Sequence, residues 1–296
     1  MTTRRTILAG AAATAAVVAT GAWSATVSST TRQPVLYIPH GGGPWPWMDQ
    51  AFFGGPGSLD ALRRYLESLP SAASQPPKAI LAVTAHWEAA VPTVSSAAKP
   101  GMLYDYYGFP EDTYKILWPA PGDPALATRV RALLDKGGFR SAEDAERGYD
   151  HGTFVPLAVA WPKAEVPVVQ LSLIAGLDPD AHIRLGRALT ALRDEGVLIV
   201  GSGMSYHNMR GFKSSGGAAA SVAFDTWMAN TVGLPAAQRD AALTRWTDAP
   251  GARACHPREE HLLPLMVIAG AAGADVGRVP YRDQILGTTV SAVQFG

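Results

Sequence analysis

Past residue 33 the chain alternates short, mostly apolar runs with longer stretches whose apolar positions recur every three or four residues. The short runs, at 35–38, 79–84, 167–173 and 197–200, are β-branched and bounded by proline or glycine, which predicts buried strands. Helical spacing occupies 58–69, 124–136, 179–194, 218–232 and 257–271. The alternation of these strands with helices predicts an α/β fold with a largely parallel central sheet flanked by helices. The closing stretch "VPYRDQILGTTVSAVQF" reads as two strands around a glycine turn. No internal repeat is present. The proline- and glycine-rich segments at 39–57 and 118–123 read as ordered loops rather than linkers, so residues 34–296 are expected to form one domain.

Composition narrows the partners. Lys+Arg and Asp+Glu both number 25, and no basic run is interleaved with aromatics, which argues against nucleic acid. There is one cysteine, so an internal disulfide and a thiolate metal cluster are both excluded. Residues 1–33 begin with Arg4-Arg5, followed by a weakly apolar stretch of Ala, Thr and Val that carries no charge until Arg32. That layout is an export signal of the twin-arginine type, with an uncleaved anchor as the alternative. It predicts a folded, exported, periplasmic protein whose mature form does not hold to the membrane.

Chemistry gathers on histidines. His40 follows the strand "VLYIP", His86 follows "AILAVTA", and His207 comes shortly after "VLIVGSGMSY". Three predicted strands therefore deliver a histidine near their carboxyl ends, the edge at which α/β sheets bind ligands. "CHPREEHLLPLMVIAG" offers a fourth donor, either Glu260 or His261, with His261 about one turn into a helix that Pro264 bends. His151 in "YDHGTFVPL" sits where a helix begins, placed either to exchange protons with a substrate or to cap that helix. His182 lies in a plain amphipathic helix and reads as structural. Imidazoles without thiolates suit Fe(II) or Zn(II), and neither HExxH nor HxxEH occurs. A zinc hydrolase and a non-haem iron oxygenase fit this pattern equally.

"PHGGGP", "AHW", "YDYYGFPEDTYKILWPAPGDPALA", "YDHGTFVPL", "PVVQLSL", "GSGMSYHN" and "HPREEHLLPL" follow one another in this order. In these motifs, from residue 34 to the C-terminus, the chain resembles the DOPA 4,5-dioxygenase-like group of class III extradiol ring-cleavage dioxygenases. The resemblance implies cleavage of a small catecholic substrate with O2, giving a muconic semialdehyde. It implies one divalent metal per chain at His40, His86 and His261, Fe(II) for activity, with Zn(II) able to occupy the site. His207 matches a position that serves as ligand or as acid/base, and His151 matches the histidine of the DHG motif. Glu260 and His261 both remain candidates for the last ligand. Imidazole suits the proton steps, which fall to His207 or His151. Tyr106 and Tyr107 are candidate pocket residues, core packing being the other role for at least one. Where the group often has His-Gly-Ser/Ala-Pro, this chain has three glycines, Gly41 to Gly43, expected to keep the turn open for substrate. The remaining rivals are a zinc-dependent hydrolase on the same scaffold and a metal-binding protein without catalysis.

Overall fold

Apolar runs that read as fully covered strands fill the middle of one sheet. The computed structural model describes residues 32–296, so Arg4-Arg5 and the apolar stretch behind them lie outside it. Eight strands, β1 (Val35–Pro39), β2 (Ala79–Ala89), β3 (Thr93–Ser95), β4 (Ala142–Asp144), β5 (Val168–Ile174), β6 (Val197–Gly203), β7 (Gly277–Ile285) and β8 (Thr288–Phe295), take the order β4-β3-β5-β2-β6-β1-β8-β7. The four inner strands β5, β2, β6 and β1 are mutually parallel. On one side β8 joins β1 antiparallel and turns back into β7; on the other, β3 meets β5 antiparallel and β4 in parallel. Every residue of β1, β6 and β8 is buried, as strands covered on both faces require.

The α-helices are α1 (Asp60–Glu67), α2 (Leu69–Ala72), α3 (Pro124–Lys136), α4 (His151–Ala160), α5 (Pro179–Leu189), α6 (Ser215–Val232), α7 (Ala236–Thr244), α8 (Ala252–Cys255) and α9 (Leu263–Ala272). α9 is buried along its whole length, and α4 in all but one position. A helix apolar all round belongs inside, and these two pack against the sheet. His182 is structural, as expected: its Nδ1–H donates to the Asp178 carbonyl at 2.7 Å and its Nε2 accepts the Ile174 N–H at 3.0 Å. Among the described residues no helix is long and apolar enough to cross a membrane.

Two expectations need correction. The helix expected over 257–271 begins only at Leu263, so Pro264 sits in its first turn instead of bending it, and His261 precedes it. The reason is competition for backbone: the His261 carbonyl accepts from the Tyr37 hydroxyl at 2.8 Å and from the Met204 N–H at 3.1 Å, leaving it no helical partner. β2 also runs five residues beyond its expected end at Thr84, because β5 continues to pair with it at Glu88 and Ala89.

Candidate active site

Parallel pairing of β1, β6 and β2 brings their carboxyl ends to one edge, and the histidines gather there. His40 follows β1 directly, with its N–H on the Gly203 carbonyl at 3.2 Å. His86 lies within β2, two residues past the last pairing with β6, where the register with β5 slips between Val83 and Glu88. That bulge takes the His86 backbone out of the ladder, its N–H donating to Thr84 Oγ1 and its carbonyl accepting from Arg147, and re-aims its side chain. His207 stands four residues beyond β6, its N–H donated to the Cys255 carbonyl at 3.0 Å. The cap of α4 is Asp150, whose carboxylate accepts the Thr153 N–H at 3.0 Å. His151 is the first residue of that helix, not its cap.

His40, His86 and His261 each offer one nitrogen, and the three lie within 4.8 Å of one another. The Nε2 atoms of His40 and His86 are 3.2 Å apart. Polar partners on the far side of each ring decide which nitrogen is available. Ser202 Oγ donates to the Gly152 carbonyl, so it can only accept from His40 Nδ1 at 3.1 Å. His86 Nδ1 faces Asp105 Oδ2 at 3.4 Å, and His261 Nδ1 meets Glu260 Oε1 at 2.9 Å. Each Nδ1 is thus committed outwards and each Nε2 keeps a lone pair. That of His261 is buried without any partner. Lone pairs converging in a buried space call for a cation between them, and imidazoles oriented by outer hydrogen bonds are how proteins hold divalent metals. The residues fit a metal.

Electrostatics agree. Burial holds His40 and His261 well below the usual imidazole range and takes His86 down to about 3, with the neighbouring histidines pushing the same way. All three are therefore neutral near pH 7, the form a metal needs. Burial alone would raise the Asp105 and Glu260 carboxyls, yet hydrogen bonds and attraction from His151 and His207 bring both below their ordinary values. Each carboxylate stays charged to receive imidazole N–H groups.

The other two histidines flank the trio. His151 Nδ1 and its backbone N–H both reach Asp105 Oδ1, at 2.8 and 2.9 Å, with its ring 3.9 Å from that of His86. His207 stacks on His261 at 3.3 Å between ring centres and turns Nδ1 toward Glu260 Oε1 at 3.3 Å. All five expected histidines therefore meet. Glu260 lies behind His261 and His207, bonded to their outer nitrogens, which leaves His261 as the donor toward His40 and His86. Asp105 and Ser202 escaped the sequence reading. Asp105 stands in "YDYYGFP" among tyrosines, and only its closeness to a residue 46 positions away gives it a role.

A cavity of about 540 Å³ opens above the cluster. Tyr106 and Tyr107 both line it; Tyr106 is buried and bonds the Thr113 carbonyl at 2.5 Å, whereas Tyr107 is 91% exposed. The three glycines do not leave an open turn. A Cβ on Gly41, Gly42 or Gly43 would overlap Trp45, Phe53 or Phe109 respectively, so the space they release is filled by aromatic rings. Two of those rings, Phe53 and Phe109, form cavity wall.

Comparison with known proteins points the same way. The family described as the catalytic LigB subunit of aromatic ring-opening dioxygenase matches residues 35–293. Dioxygenase tasH of Hapsidospora irregularis is 37% identical over 281 residues, 89% of this chain and 85% of its own. The 4,5-DOPA dioxygenase extradiol of Beta vulgaris is 43% identical over 203 residues, covering 68% of this chain and 75% of its own. That of Escherichia coli K12 is 30% identical over 275 residues, 91% and 97% of the two chains. A crystal structure of an uncharacterized Escherichia coli K12 protein superposes with a TM-score of 0.72 at 30% identity, over 90% of this chain and all of that one. The chain belongs to the LigB family of class III extradiol dioxygenases.

Proposed function

We propose that the protein opens a catechol-type ring with O2, breaking the carbon–carbon bond beside the vicinal diol. Both oxygen atoms enter a muconic semialdehyde product, so no reductant is consumed. The observation that carries this reading is the trio of His40, His86 and His261, with outer nitrogens turned to polar partners and inner nitrogens converging, beside a cavity large enough for a substituted ring. These three residues would hold one divalent metal, Fe(II) for the activity. When bound, the metal supplies Lewis acidity toward the diol oxygens and one centre at which diol and O2 are brought together.

The chain's own residues supply the proton traffic. His207 and His151 stand on either side of the trio, and each has Nδ1 turned to a carboxylate, which leaves Nε2 to take the diol proton and return it. Asp105 and Glu260 fix the orientation of those rings. The aromatic walls limit water near the reacting ring.

The test is anaerobic loading of the purified protein with Fe(II), then O2 uptake with a panel of catechols. The expected result is one O2 consumed per ring opened, with the yellow absorbance of a semialdehyde. Full metal occupancy without O2 uptake on any catechol would overturn the dioxygenase reading and return the hydrolase and non-catalytic alternatives.

A further inference from the structure

The cavity divides its chemistry sharply: polar groups at the floor, apolar groups on the walls. Histidines and Asp105 make the floor, while Phe52, Phe53, Phe109, Phe212, Met209 and Leu286 make most of the wall. Among the described residues that line it there is no lysine or arginine. Arg210 and Lys213 neighbour Met209 and Phe212 in sequence but do not join the lining. Its one carboxylate, Asp105, is already engaged by His151 and faces His86. The Tyr106 hydroxyl is spent on the Thr113 carbonyl, and Tyr107, 91% exposed, brings one neutral hydroxyl to the mouth but no charge.

A ring whose diol reaches the histidines must set its substituent against this wall. A carboxylate there would lose water and find no cation, and an ammonium would find no free anion, so either would bind at a penalty unless neutralised. The mouth tells the same story. Phe52 is 56% exposed and Met209 66%, so large apolar side chains gather at the opening, where solvent disfavours them.

We propose that the substrate is a catechol bearing an uncharged apolar substituent, alkyl or aryl, and not a carboxylate or an amino-acid side chain. This rests on the ring-cleavage reading above. A charged substituent is rejected by desolvation and an apolar one is held by the phenylalanines and Met209.

The probes are 4-butylcatechol, 3-(3,4-dihydroxyphenyl)propionate and DOPA, titrated by calorimetry under anaerobic conditions into the Fe(II)-loaded full chain and then assayed for O2 uptake. 4-Butylcatechol should bind at least about tenfold more tightly than either charged probe. Equal or tighter binding of a charged probe overturns the inference. Phe52→Ala, at an exposed position, should narrow the gap, and an unchanged gap overturns the role given to the mouth. The two readings fail separately. Tighter butylcatechol binding with no O2 uptake on any probe sinks ring cleavage but keeps the apolar ligand; cleavage that favours the charged probes does the reverse.

Discussion

The imidazole trio has a carboxylate on each side, and the two sides are built differently. Asp105 takes two bonds from His151, one from the ring and one from the backbone, so that histidine is pinned at the first turn of a buried helix. Glu260 instead receives His261 and His207, and Arg258 approaches it at 3.5 Å while gripping Glu88. His207 sits in a loop with 27% of its side chain exposed, against 9% for His151. A group that trades protons must reach water at some point in each cycle. The more accessible, stacked histidine is suited to that exchange and the pinned one to orientation.

The sharpest way to break this contrast is to remove each flanking ring. His207→Ala should keep its metal and slow turnover by about 10²–10⁴-fold, with a smaller loss for His151→Ala. His261→Ala, by contrast, should empty the site. Metal content and O2 uptake measured on the same samples separate these cases. Metal lost from His207→Ala would make it a fourth ligand and pass the proton role to His151. Both variants fully active would end the acid/base assignment altogether.

Changing the carboxylates comes next in size. Glu260→Gln and Asp105→Asn should each weaken metal binding by about 10–100-fold, as loss of a partner behind a ligand does. Glu260→Gln should cost more, because His261 Nδ1 lies 2.9 Å from its carboxylate whereas His86 Nδ1 lies 3.4 Å from Asp105. Competitive chelator titration ranks them, and a larger loss for Asp105→Asn would reverse the contrast.

The smallest effect concerns a histidine with no carboxylate at all. His256 donates from Nε2 to the Ser205 carbonyl at 3.0 Å, its Nδ1 is buried without a partner, and burial takes its pKa from 6.5 down to about 3. The unfolded chain binds this proton near pH 6.5 and the folded protein does not until about 3, so stability falls as pH drops through that window. The slope approaches about 1.4 kcal/mol per pH unit for each such histidine. In urea unfolding at pH 7 and 5, His256→Gln should be less stable at pH 7 yet lose about one proton's worth of acid sensitivity. An unaltered slope would mean His256 takes no part in it.

Much of the fold was readable because buried parallel strands are short, β-branched and mostly apolar runs: β1, β2, β5 and β6 were located within a few residues except at the far end of β2. β3 and β4, three residues each, are too short to carry a period. At residues 257–262, Pro257, Glu259 and Glu260 imitate a helix start, but long-range bonds to the His261 carbonyl outcompeted it. His40 and His86 were readable from their strand-end positions, whereas His261 was legible only as one of a pair with Glu260 and through the family resemblance. Their supports were not, since Asp105 and Ser202 act through partners distant in sequence, at 46 and 162 positions.

The bond from Tyr37 to the His261 carbonyl spans 224 positions of sequence. Its partners meet only when the first strand and the last helix have both docked. The donor trio therefore has no local precursor in the unfolded chain, and an ion bound there acts as a late cross-link that ties the two ends of the fold together. By mass action such an ion at a hundred times its dissociation constant adds about 2.7 kcal/mol to the folded state. An ion held there would thus add to the stability of the fold as well as serve its chemistry.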